Sequence, residues 1–500
     1  MLLKALSFLF ICSLISHSQE KPNVIFIMSD DHTSEAISAY NSHLKDFAKT
    51  PHIDRIANEG MIFNNTFCNN SICSPSRASI LTGQYSHING VLNLNQGILE
   101  TSPVFTEEFK ANHYQTWLVG KWHIHSTPRG FDKYKVVKGQ GEYFNPVFYD
   151  KDNQVEKVTG YSSDVYTDVA LDWLDKRDSE KPFCLLLHFK APHHDYSYPE
   201  RHNQLLKDVV VPEPNNLYED VENSNSYLKK EFLKKSKFHL SRIGENNDYY
   251  ERHADKMEPH DINDNRDKWR VAYQHMIKTY IRCVTAVDEN VGRVLDYLDE
   301  NNLSENTIVV YTADQGYWLG QHGFYDKRLI MEESFKMPLL IRYPKKIKPK
   351  TQANQLCSNI DFAPTLLDMC DLNISKKIQG MSFKNILYGH DTPNWRESIY
   401  YRYYASPSHT GIRTKTHTMA VTNGNIDLYD LEKDRSQMHN LSHDEKYQPL
   451  IAKLQNDLKK YEKKIGYSES QVQLLTQKNK LLADQAKQKK RALKKKVKNE

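Results

Sequence analysis

The sequence has no closely spaced cysteine pairs, no internal repeats and no long apolar run beyond Ile15. Of its 500 residues only 7 are cysteine and 19 are glycine, which excludes a disulfide-rich scaffold, a CxxC zinc site and a collagen-like fibre. A membrane-spanning helix needs roughly 18 consecutive apolar residues, and no later segment reaches that length. Hydrophobic residues still make up 39% and charged residues 26% of the chain, which is typical of a globular protein of about two or three domains.

The first 18 residues have the features of a secretory signal peptide. Lys4 precedes an apolar run from Ala5 to Ile15, and the small residues Ser16 and Ser18 suit a cleavage site. The alternative for this segment is a buried N-terminal helix. We expect an exported protein, periplasmic or secreted, without a transmembrane anchor.

The net charge of +4 is unevenly distributed along the chain. Residues 476–500 contain ten Lys or Arg residues and two acidic residues, a net +8 that leaves −4 for the rest. The whole Lys/Gln-rich tail, residues 466–500, has weak apolar spacing, which predicts a frayed helix or disorder. It is either a solvated appendage or a segment that binds an anionic glycan or a membrane surface. We expect no nucleic acid partner.

Strand-like and helix-like patterns alternate along most of the chain. Asn23–Met28, Phe183–Phe189 and Thr307–Ala313 are short continuous apolar runs, typical of parallel strands buried on both faces. A helix is predicted from Pro51 to Gly60, and a longer one has its apolar face between Ile277 and Leu298. This alternation predicts an α/β fold, with a large, mostly parallel sheet flanked by helices.

The pattern divides the chain after the signal peptide into a large α/β domain, residues 19–390, a small subdomain, residues 391–465, and the tail. Residues 200–268 interrupt the first domain because they are polar and lack apolar periodicity. We interpret them as a surface insertion that either covers an active-site mouth or has no function. The subdomain is predicted to be a small antiparallel sheet followed by an amphipathic helix, on the basis of Ser398–Tyr404, His417–Thr422, Asp427–Leu431 and Leu450–Tyr461.

Polar clusters follow three of the predicted strands. Asp30 and Asp31 come after the first, a histidine-containing stretch surrounds the end of the second, and Asp314 and Gln315 come after the third. The carboxyl ends of strands are where ligands bind in open α/β sheets. Three carboxylates and an amide oxygen would suit a hard cation such as Ca²⁺ or Mg²⁺, although an isolated Asp pair is more often a turn or a helix cap.

Cys73 lies where a helix is predicted to begin, because Pro75 suits a first helical turn. The free amides and the dipole at that end of a helix favour an anion. Cys73 is therefore either a thiolate nucleophile with a lowered pKa or a buried structural cysteine beside a helix cap.

The segment from Ser71 to Gly83 contains Cys-x-Pro-Ser-Arg followed by Leu-Thr-Gly, and it resembles the type I sulfatase signature of the alkaline-phosphatase-like superfamily. Three further segments resemble conserved blocks of this family: Thr116–His123, Ala191–His193 and Asp314–Arg328. The similarity extends from Pro22 to Ile465. Two positions depart from the family pattern. His113 stands where a glycine is usual, and Gln315 where Asn or His is common.

The resemblance implies that Cys73 is converted to formylglycine (3-oxoalanine) by a formylglycine-generating, or sulfatase-maturing, enzyme and that its hydrate is the nucleophile. It implies a large mixed sheet with a smaller C-terminal antiparallel subdomain and a bound Ca²⁺, with Mg²⁺ as the alternative. The catalytic residues would be Cys73, Arg77, Lys121, His123, His193 and Lys327. The metal ligands would be Asp30, Asp31, Cys73, Asp314 and Gln315, and the substrate contacts His322 and Arg328.

The motifs are most similar to those of bacterial glycan sulfatases, which favours a sulfated carbohydrate over an aryl sulfate. The carbohydrate would be an algal polysaccharide such as ulvan, or a glycosaminoglycan. Two alternatives remain: a phosphonate monoester or phosphodiester hydrolase of the same superfamily, and a catalytically inactive glycan-binding relative. The second is disfavoured because the catalytic residues are intact.

Overall fold

The computed structural model describes residues 21–242, 264–481 and 484–485, so the predicted signal peptide and most of the strongly basic end lie outside the described residues. Its strands are β1 Asn23–Ser29, β2 Met61–Phe63, β3 Thr66–Phe67, β4 Gln115–Lys121, β5 Lys133–Val137, β6 Val147–Asp150, β7 Val155–Lys157, β8 Phe183–His188, β9 Thr307–Ala313, β10 Trp318–Leu319, β11 Tyr325–Asp326, β12 Lys336–Met337, β13 Leu339–Arg342, β14 Thr351–Ala353, β15 Cys357–Ser358, β16 Ser398–Tyr403, β17 His409–Thr414, β18 His417–Thr422 and β19 Asn425–Asp430. The three short apolar runs are therefore strands, as their sequences predict.

A mixed sheet organises the larger part of the described chain. Its ten strands have the order β14-β2-β13-β9-β1-β8-β4-β5-β6-β7. The central five, from β9 to β5, run parallel, while β13, β6 and β7 pair antiparallel with their neighbours. The predicted large, mostly parallel sheet is confirmed. Because the central strands run parallel, their carboxyl ends lie at one edge.

Helices cover both faces of this sheet. The α-helices are α1 Pro51–Asn58, α2 Cys73–Thr82, α3 Ser86–Asn89, α4 Phe105–Ala111, α5 Ser162–Asp175, α6 Tyr227–Lys235, α7 Asn265–Glu300, α8 Glu332–Phe335, α9 Phe362–Met369, α10 Lys384–Leu387 and α11 Gln448–Lys464. Residues of α1, α5 and α7 share one core with Ile25 and Ile27 of β1, and residues of α2, α4 and α9 share the other with Val24, Phe26 and Met28. The alternation of β1 side chains between the two cores explains why its sequence is continuously apolar.

The C-terminal region forms a separate four-stranded antiparallel sheet, β16-β17-β18-β19, with residues of α11 in its core. The predicted small antiparallel sheet is confirmed, but the sequence pattern missed β17. This strand contains Gly411, a residue that is normally depleted in strands. A Cβ at this position would lie 2.4 Å from the Met419 carbonyl oxygen and 2.6 Å from Ile330 Cδ1, so the close approach of a neighbouring strand requires glycine.

The predicted surface insertion, residues 200–268, is described over 200–242 and 264–268, and it is more ordered than its polar composition suggests. Its last residues, from Asn265, already belong to α7. The insertion also contains α6, which begins at the N-cap Ser226 and buries Leu228, Phe232 and Leu233. The Tyr227 and Leu228 amides donate to the Asp427 carboxylate, each at 3.0 Å. The insertion is therefore fastened to the C-terminal sheet by the first turn of α6.

None of the helices in the described ranges has the length and apolar character needed to cross a membrane. The six cysteines between Cys68 and Cys370 are all buried and free. The first part of the predicted tail continues as a helix over residues 469–481, and Val472 is buried there.

Candidate active site

The predicted site residues meet where the parallel strands end. Asp30 and Asp31 follow β1, Lys121 is the last residue of β4, and Asp314 follows β9. All four side chains are completely buried. Since β1, β4, β8 and β9 are parallel neighbours, the topology alone brings these residues together. We call the following residues the strand-end cluster: Asp30, Asp31, Arg77, Lys121, Asp314, Gln315 and Lys327.

Three carboxylates of the strand-end cluster lie against one another. Asp30, Asp31 and Asp314 each offer an oxygen, and these atoms are all within 4.8 Å of one another. The Asp31 amide also donates to Asp314 Oδ1 at 3.2 Å. Burial raises the pKa of Asp31 to about 6. The positive charge of Lys327 acts to lower this pKa, and the negative charge of Asp314 acts to raise it. A divalent cation among these oxygens would offset their repulsion.

Gln315 completes an all-oxygen ligand set. Its Nε2 donates to Asp31 Oδ1 at 2.5 Å, and this contact directs the amide group toward the carboxylates. Its Oε1 is buried and has no hydrogen-bond partner within the described residues. A buried acceptor without a partner is costly, and carboxylate and amide oxygens are the ligands that Ca²⁺ and Mg²⁺ prefer. The residues present therefore fit the predicted cation.

Cys73 is the first residue of α2 and lies beside these carboxylates. Its Sγ is 3.5 Å from Asp30 Oδ1, and Asp30, Cys73 and His193 each place a potential ligand atom within 4.8 Å of the others. Burial raises the pKa of Cys73 to about 12, against the positive charge of Lys327. The unmodified side chain is thus a thiol at neutral pH, which disfavours the thiolate alternative.

Three cationic side chains surround the carboxylates. Arg77, one turn along α2, donates from Nε to Asp314 Oδ2 and from Nη1 to the Lys121 carbonyl, both at 2.9 Å. Lys121 Nζ contacts Asp30 Oδ2, and Lys327 Nζ lies 2.5 Å from Asp31 Oδ2. Burial opposes the charge of Lys327, but Asp31, Cys73 and Asp326 together outweigh this effect and raise the pKa of Lys327. Burial lowers the pKa of Lys121, against the charge of Asp314, while its contact with Asp30 favours the charged form. The cluster thus holds three buried basic side chains, each beside a carboxylate.

Two histidines lie next to the strand-end cluster. His193 Nδ1 is 3.0 Å from the His194 carbonyl, which can only accept, so Nδ1 carries a proton and Nε2 lies 3.7 Å from Asp31 Oδ2. His123 Nδ1 is buried without a hydrogen-bond partner in the described part of the chain. Burial lowers the pKa of both histidines, and the charge of Lys121 acts in the same direction. Both are therefore neutral before an anion binds.

Sequence reasoning missed Gln140 and Lys190. Gln140 follows β5, the next parallel strand, and its Oε1 contacts Lys121 Nζ. Lys190 follows β8, is buried, and places its Nζ 4.6 Å from the centre of the Tyr143 ring. The strand-end rule could have found both residues if it had been applied to every parallel strand.

His322 belongs to a different buried set. It is completely buried, and its Nδ1 contacts Glu219 Oε2, while Lys229 Nζ lies 2.5 Å from Glu219 Oε1. Lys229 also donates to the Gln437 carbonyl at 3.1 Å. We call Glu219, Lys229 and His322 the staple, because it joins the insertion to the loop after β10 and to the C-terminal region.

Arg328 lies beside the strand-end cluster but points elsewhere. It is the chain neighbour of Lys327, and its Nε is 2.5 Å from Asp326 Oδ2 while Nη1 donates to Tyr403 Oη at 3.1 Å. Its side chain is 24% exposed, whereas Lys327 is buried. Of the two predicted substrate contacts, the structure therefore places Arg328 next to the strand-end cluster and His322 in the staple.

Comparisons with known proteins agree with this geometry. Residues 22–372 match the sulfatase family model, and residues 320–464 match the C-terminal region of N-sulphoglucosamine sulphohydrolase. The chain is 36% identical over 490 residues to an N-acetylglucosamine-6-O-sulfatase of Bacteroides thetaiotaomicron, covering 88% of this chain and 87% of the relative. It is 28% identical over 462 residues to an ulvan-active sulfatase of Formosa agariphila, covering 88% and 80% of the two chains.

A solved structure gives the same result. It is described as a complex with its substrate D-glucosamine-2-N,6-O-disulfate, and it matches this fold with a TM-score of 0.81 and 32% sequence identity. The match covers 90% of this chain and 99% of that chain. The chain belongs to the sulfatase family and is an enzyme of that family, a sulfuric ester hydrolase.

Proposed function

We propose that the chain removes sulfate from a sulfated carbohydrate, with a formylglycine made from Cys73 as nucleophile and a bound Ca²⁺. The observation that carries this proposal is the meeting of Cys73 Sγ with buried carboxylates and buried cations at one edge of the sheet. Such a site can collect a monoanionic sulfate ester and hold a nucleophile against its sulfur atom.

The sequence resemblance implies a Ca²⁺ ion and a formylglycine, and the residues present would suit both. Asp30, Asp31, Asp314 and Gln315 would hold Ca²⁺, or Mg²⁺ as the alternative, with residue 73 beside them, and the cation would supply positive charge to the sulfate oxygens. Formylglycine at position 73 would supply the hydrate hydroxyl that attacks sulfur as the bond to the sugar oxygen breaks. A sulfatase-maturing enzyme is therefore a proposed partner.

Arg77, Lys121 and Lys327 provide the remaining positive charge. They are fixed by carboxylates and a backbone carbonyl, so they need little reorganisation when the sulfate binds. Preorganised charge of this kind stabilises the transition state more than the same charge does in water. Arg77 also steadies residue 73, which lies one helical turn before it on α2.

His193 and His123 would transfer the protons of the reaction. The negative charge of a bound sulfate ester would raise the pKa of His193, so that Nε2 can carry a proton and give it to the leaving sugar oxygen. His123 is neutral and has a ring nitrogen without a partner, which suits it to accept a proton from the residue-73 side when sulfate is released.

The proposed substrate is a glucosamine residue with a 6-O-sulfate. Support comes from the activities of the relatives, one an N-acetylglucosamine-6-O-sulfatase and one an ulvan-active sulfatase. An algal polysaccharide such as ulvan, or another sulfated glycosaminoglycan sugar, is the next candidate. Arg328 is proposed to contact the sugar, whereas His322 would act on it only by holding the loop after β10.

Turnover of matched esters tests the proposal. Protein made together with a maturing enzyme is offered 6-O-sulfated N-acetylglucosamine, ulvan oligosaccharides, an aryl sulfate, and a phosphodiester with the same aryl leaving group. We expect kcat/KM to be at least about tenfold higher for a sulfated sugar than for the aryl sulfate, a difference of about 1.4 kcal/mol. Faster phosphodiester turnover would favour the hydrolase alternative, and no turnover by formylglycine-containing protein would favour an inactive glycan-binding relative.

Export to the periplasm or beyond the cell remains part of the proposal, as do the division into domains at residues 390 and 465 and the role of the tail.

A further inference from the structure

The end of the described insertion is held against the loop that carries Lys327. His239 pairs with Phe324 in an isolated antiparallel bridge, and the Tyr325 amide donates to the Phe238 carbonyl at 3.2 Å. His239 Nε2 also lies 3.0 Å from the His322 carbonyl. These backbone and side-chain contacts fix the position of Phe238 relative to β11 and the two residues after it.

The Phe238 ring contacts side chains from two other parts of the chain. Its centre is 6.0 Å from that of His194 and 5.7 Å from that of Tyr325, both edge-on, and Arg328 Cζ lies 5.8 Å from it. Tyr325 is buried, whereas Phe238 is partly exposed and the side chains of His194 and Arg328 are 19% and 24% exposed. We call His194, Phe238 and Arg328 the rim cluster.

The rim cluster lies one residue outward from the reacting groups. His194 follows His193, and Arg328 follows Lys327, while His193 Nε2 and Lys327 Nζ both lie against the Asp31 carboxylate, at 3.7 and 2.5 Å. The rim cluster thus contains the partly exposed side chains that directly follow two residues in contact with the Asp31 carboxylate.

The chemistry of the rim cluster suits a sugar. The C–H face of a pyranose packs on an aromatic ring, and a ring such as Phe238 offers that contact with little loss of conformational freedom. Asp326 and Tyr403 fix the Arg328 guanidinium from two sides, and its Cζ lies over the Phe238 ring, 5.8 Å from the ring centre, as Lys237 Nζ does at 5.7 Å. A planar donor group and an aromatic ring are therefore close enough to contact the same sugar.

We infer that Phe238 is the specificity-determining residue of this site: it packs on the sugar ring that carries the sulfate, with His194 and Arg328 beside it. The inference rests on the proposed function and deepens it, because it assigns recognition of the sugar to a residue of the insertion. It also gives the described end of the insertion a role at the active-site mouth.

The test separates sugar binding from sulfate binding. Affinity is measured by calorimetry for the desulfated product, N-acetylglucosamine, and for inorganic sulfate, in wild type, Phe238→Ala and Phe238→Trp. We expect Phe238→Ala to weaken product binding and to raise KM for the sulfated sugar by about tenfold, with kcat and sulfate affinity within about twofold of wild type. Phe238→Trp restores product binding.

Phe144→Ala is the matched control, because Phe144 is also an exposed aromatic residue, 47% exposed, and packs on Tyr161 instead of the rim cluster. Equal product affinity in wild type and Phe238→Ala, or a parallel loss of product and sulfate affinity, would overturn the inference. If Phe238→Ala does not fold, Phe238→Leu takes its place, since it keeps the apolar volume and removes the aromatic face.

Product binding does not require turnover. Failure of the proposed function, seen as no hydrolysis of any sulfated sugar by the wild type, is therefore distinguishable from failure of this inference, seen as sugar binding that does not depend on residue 238.

Discussion

The strand-end cluster and the staple are both buried and both charged, but they differ in what they leave unpaired. In the staple, Glu219 contacts both Lys229 and His322, and Lys229 also reaches a backbone carbonyl. Next to the strand-end carboxylates, Gln315 Oε1 and His123 Nδ1 are buried without partners among the described residues. A satisfied cluster holds segments together, whereas one with unused acceptors has room for a ligand.

The two clusters also differ in how many carboxylates they bring together. Opposite charges are in contact in both clusters, but the staple has a single carboxylate, Glu219, beside Lys229 and His322. The strand-end cluster brings three carboxylates within 4.8 Å of one another, an arrangement whose repulsion a bound cation would offset. This contrast predicts that substitutions in the strand-end cluster impair chemistry, and that substitutions in the staple impair stability.

The largest effect is expected for Cys73→Ser. Serine keeps the size of the side chain but lacks the thiol that the maturing enzyme would oxidise. The value of kcat/KM should therefore fall by about 10³-fold or more, with Tm nearly unchanged. Cys68→Ser is the matched control, because Cys68 is buried five residues earlier and donates to the Phe335 carbonyl. Activity of Cys73→Ser close to that of the control would point to another nucleophile.

The next effect is expected for Asp31→Asn. Removal of one charge from the carboxylates should weaken Ca²⁺ binding by at least about tenfold, measured by calorimetry on chelator-treated protein. Asp288→Asn provides the comparison, because Asp288 is a buried carboxylate that accepts hydrogen bonds from the His52 and Ile53 amides, outside the strand-end cluster. Equal losses in the two variants would argue against a metal site at these strand ends.

A smaller effect, on stability and not on chemistry, is expected for His322→Asn. Loss of the contact with Glu219 should reduce the free energy of unfolding by about 2 kcal/mol, measured by urea denaturation, with kcat/KM for the sulfated sugar within about twofold. Glu219→Gln should behave alike, and the double variant should show coupling between the two positions. A large loss of kcat/KM without a loss of stability would instead support the substrate contact that the sequence resemblance implies for His322.

The smallest effect concerns a position outside both clusters. His113 follows α4 with φ of 67°, the left-handed conformation that a glycine adopts more easily. His113→Gly should therefore raise the free energy of unfolding by about 0.5 kcal/mol. His113→Ala, which keeps the Cβ, serves as control and should bring no such gain. A decrease for the glycine variant would show that the His113 side chain compensates for its backbone.

The fold and the strand-end residues could be predicted from the sequence for a physical reason. Parallel strands buried on both faces are continuously apolar, as Asn23–Ser29 and Thr307–Ala313 are, and the residues after them must lie at one edge. Asp30, Asp31 and Asp314 follow from this rule alone. The roles assigned to Arg77, Lys121 and Lys327 came from resemblance, since a single lysine or arginine has no sequence signal of its own.

Features that depend on contacts between distant segments could not be predicted. The staple joins Glu219 and Lys229 to His322, about a hundred residues away, and nothing in the local pattern of these residues indicates the pairing. The same holds for Phe238, whose position depends on its backbone contact with Tyr325. Strand β17 was missed because it contains Gly411, a residue of low strand propensity. The close approach of neighbouring atoms requires glycine there, and the local sequence does not show this.

The central claim is that the strand-end cluster serves a nucleophile made from Cys73. Mass spectrometry of the peptide that spans Ser71–Gly83, from protein produced in its native host, tests this claim most directly. We expect a formylglycine at position 73 in the active fraction of the protein. Unmodified cysteine at position 73 in fully active protein would contradict it.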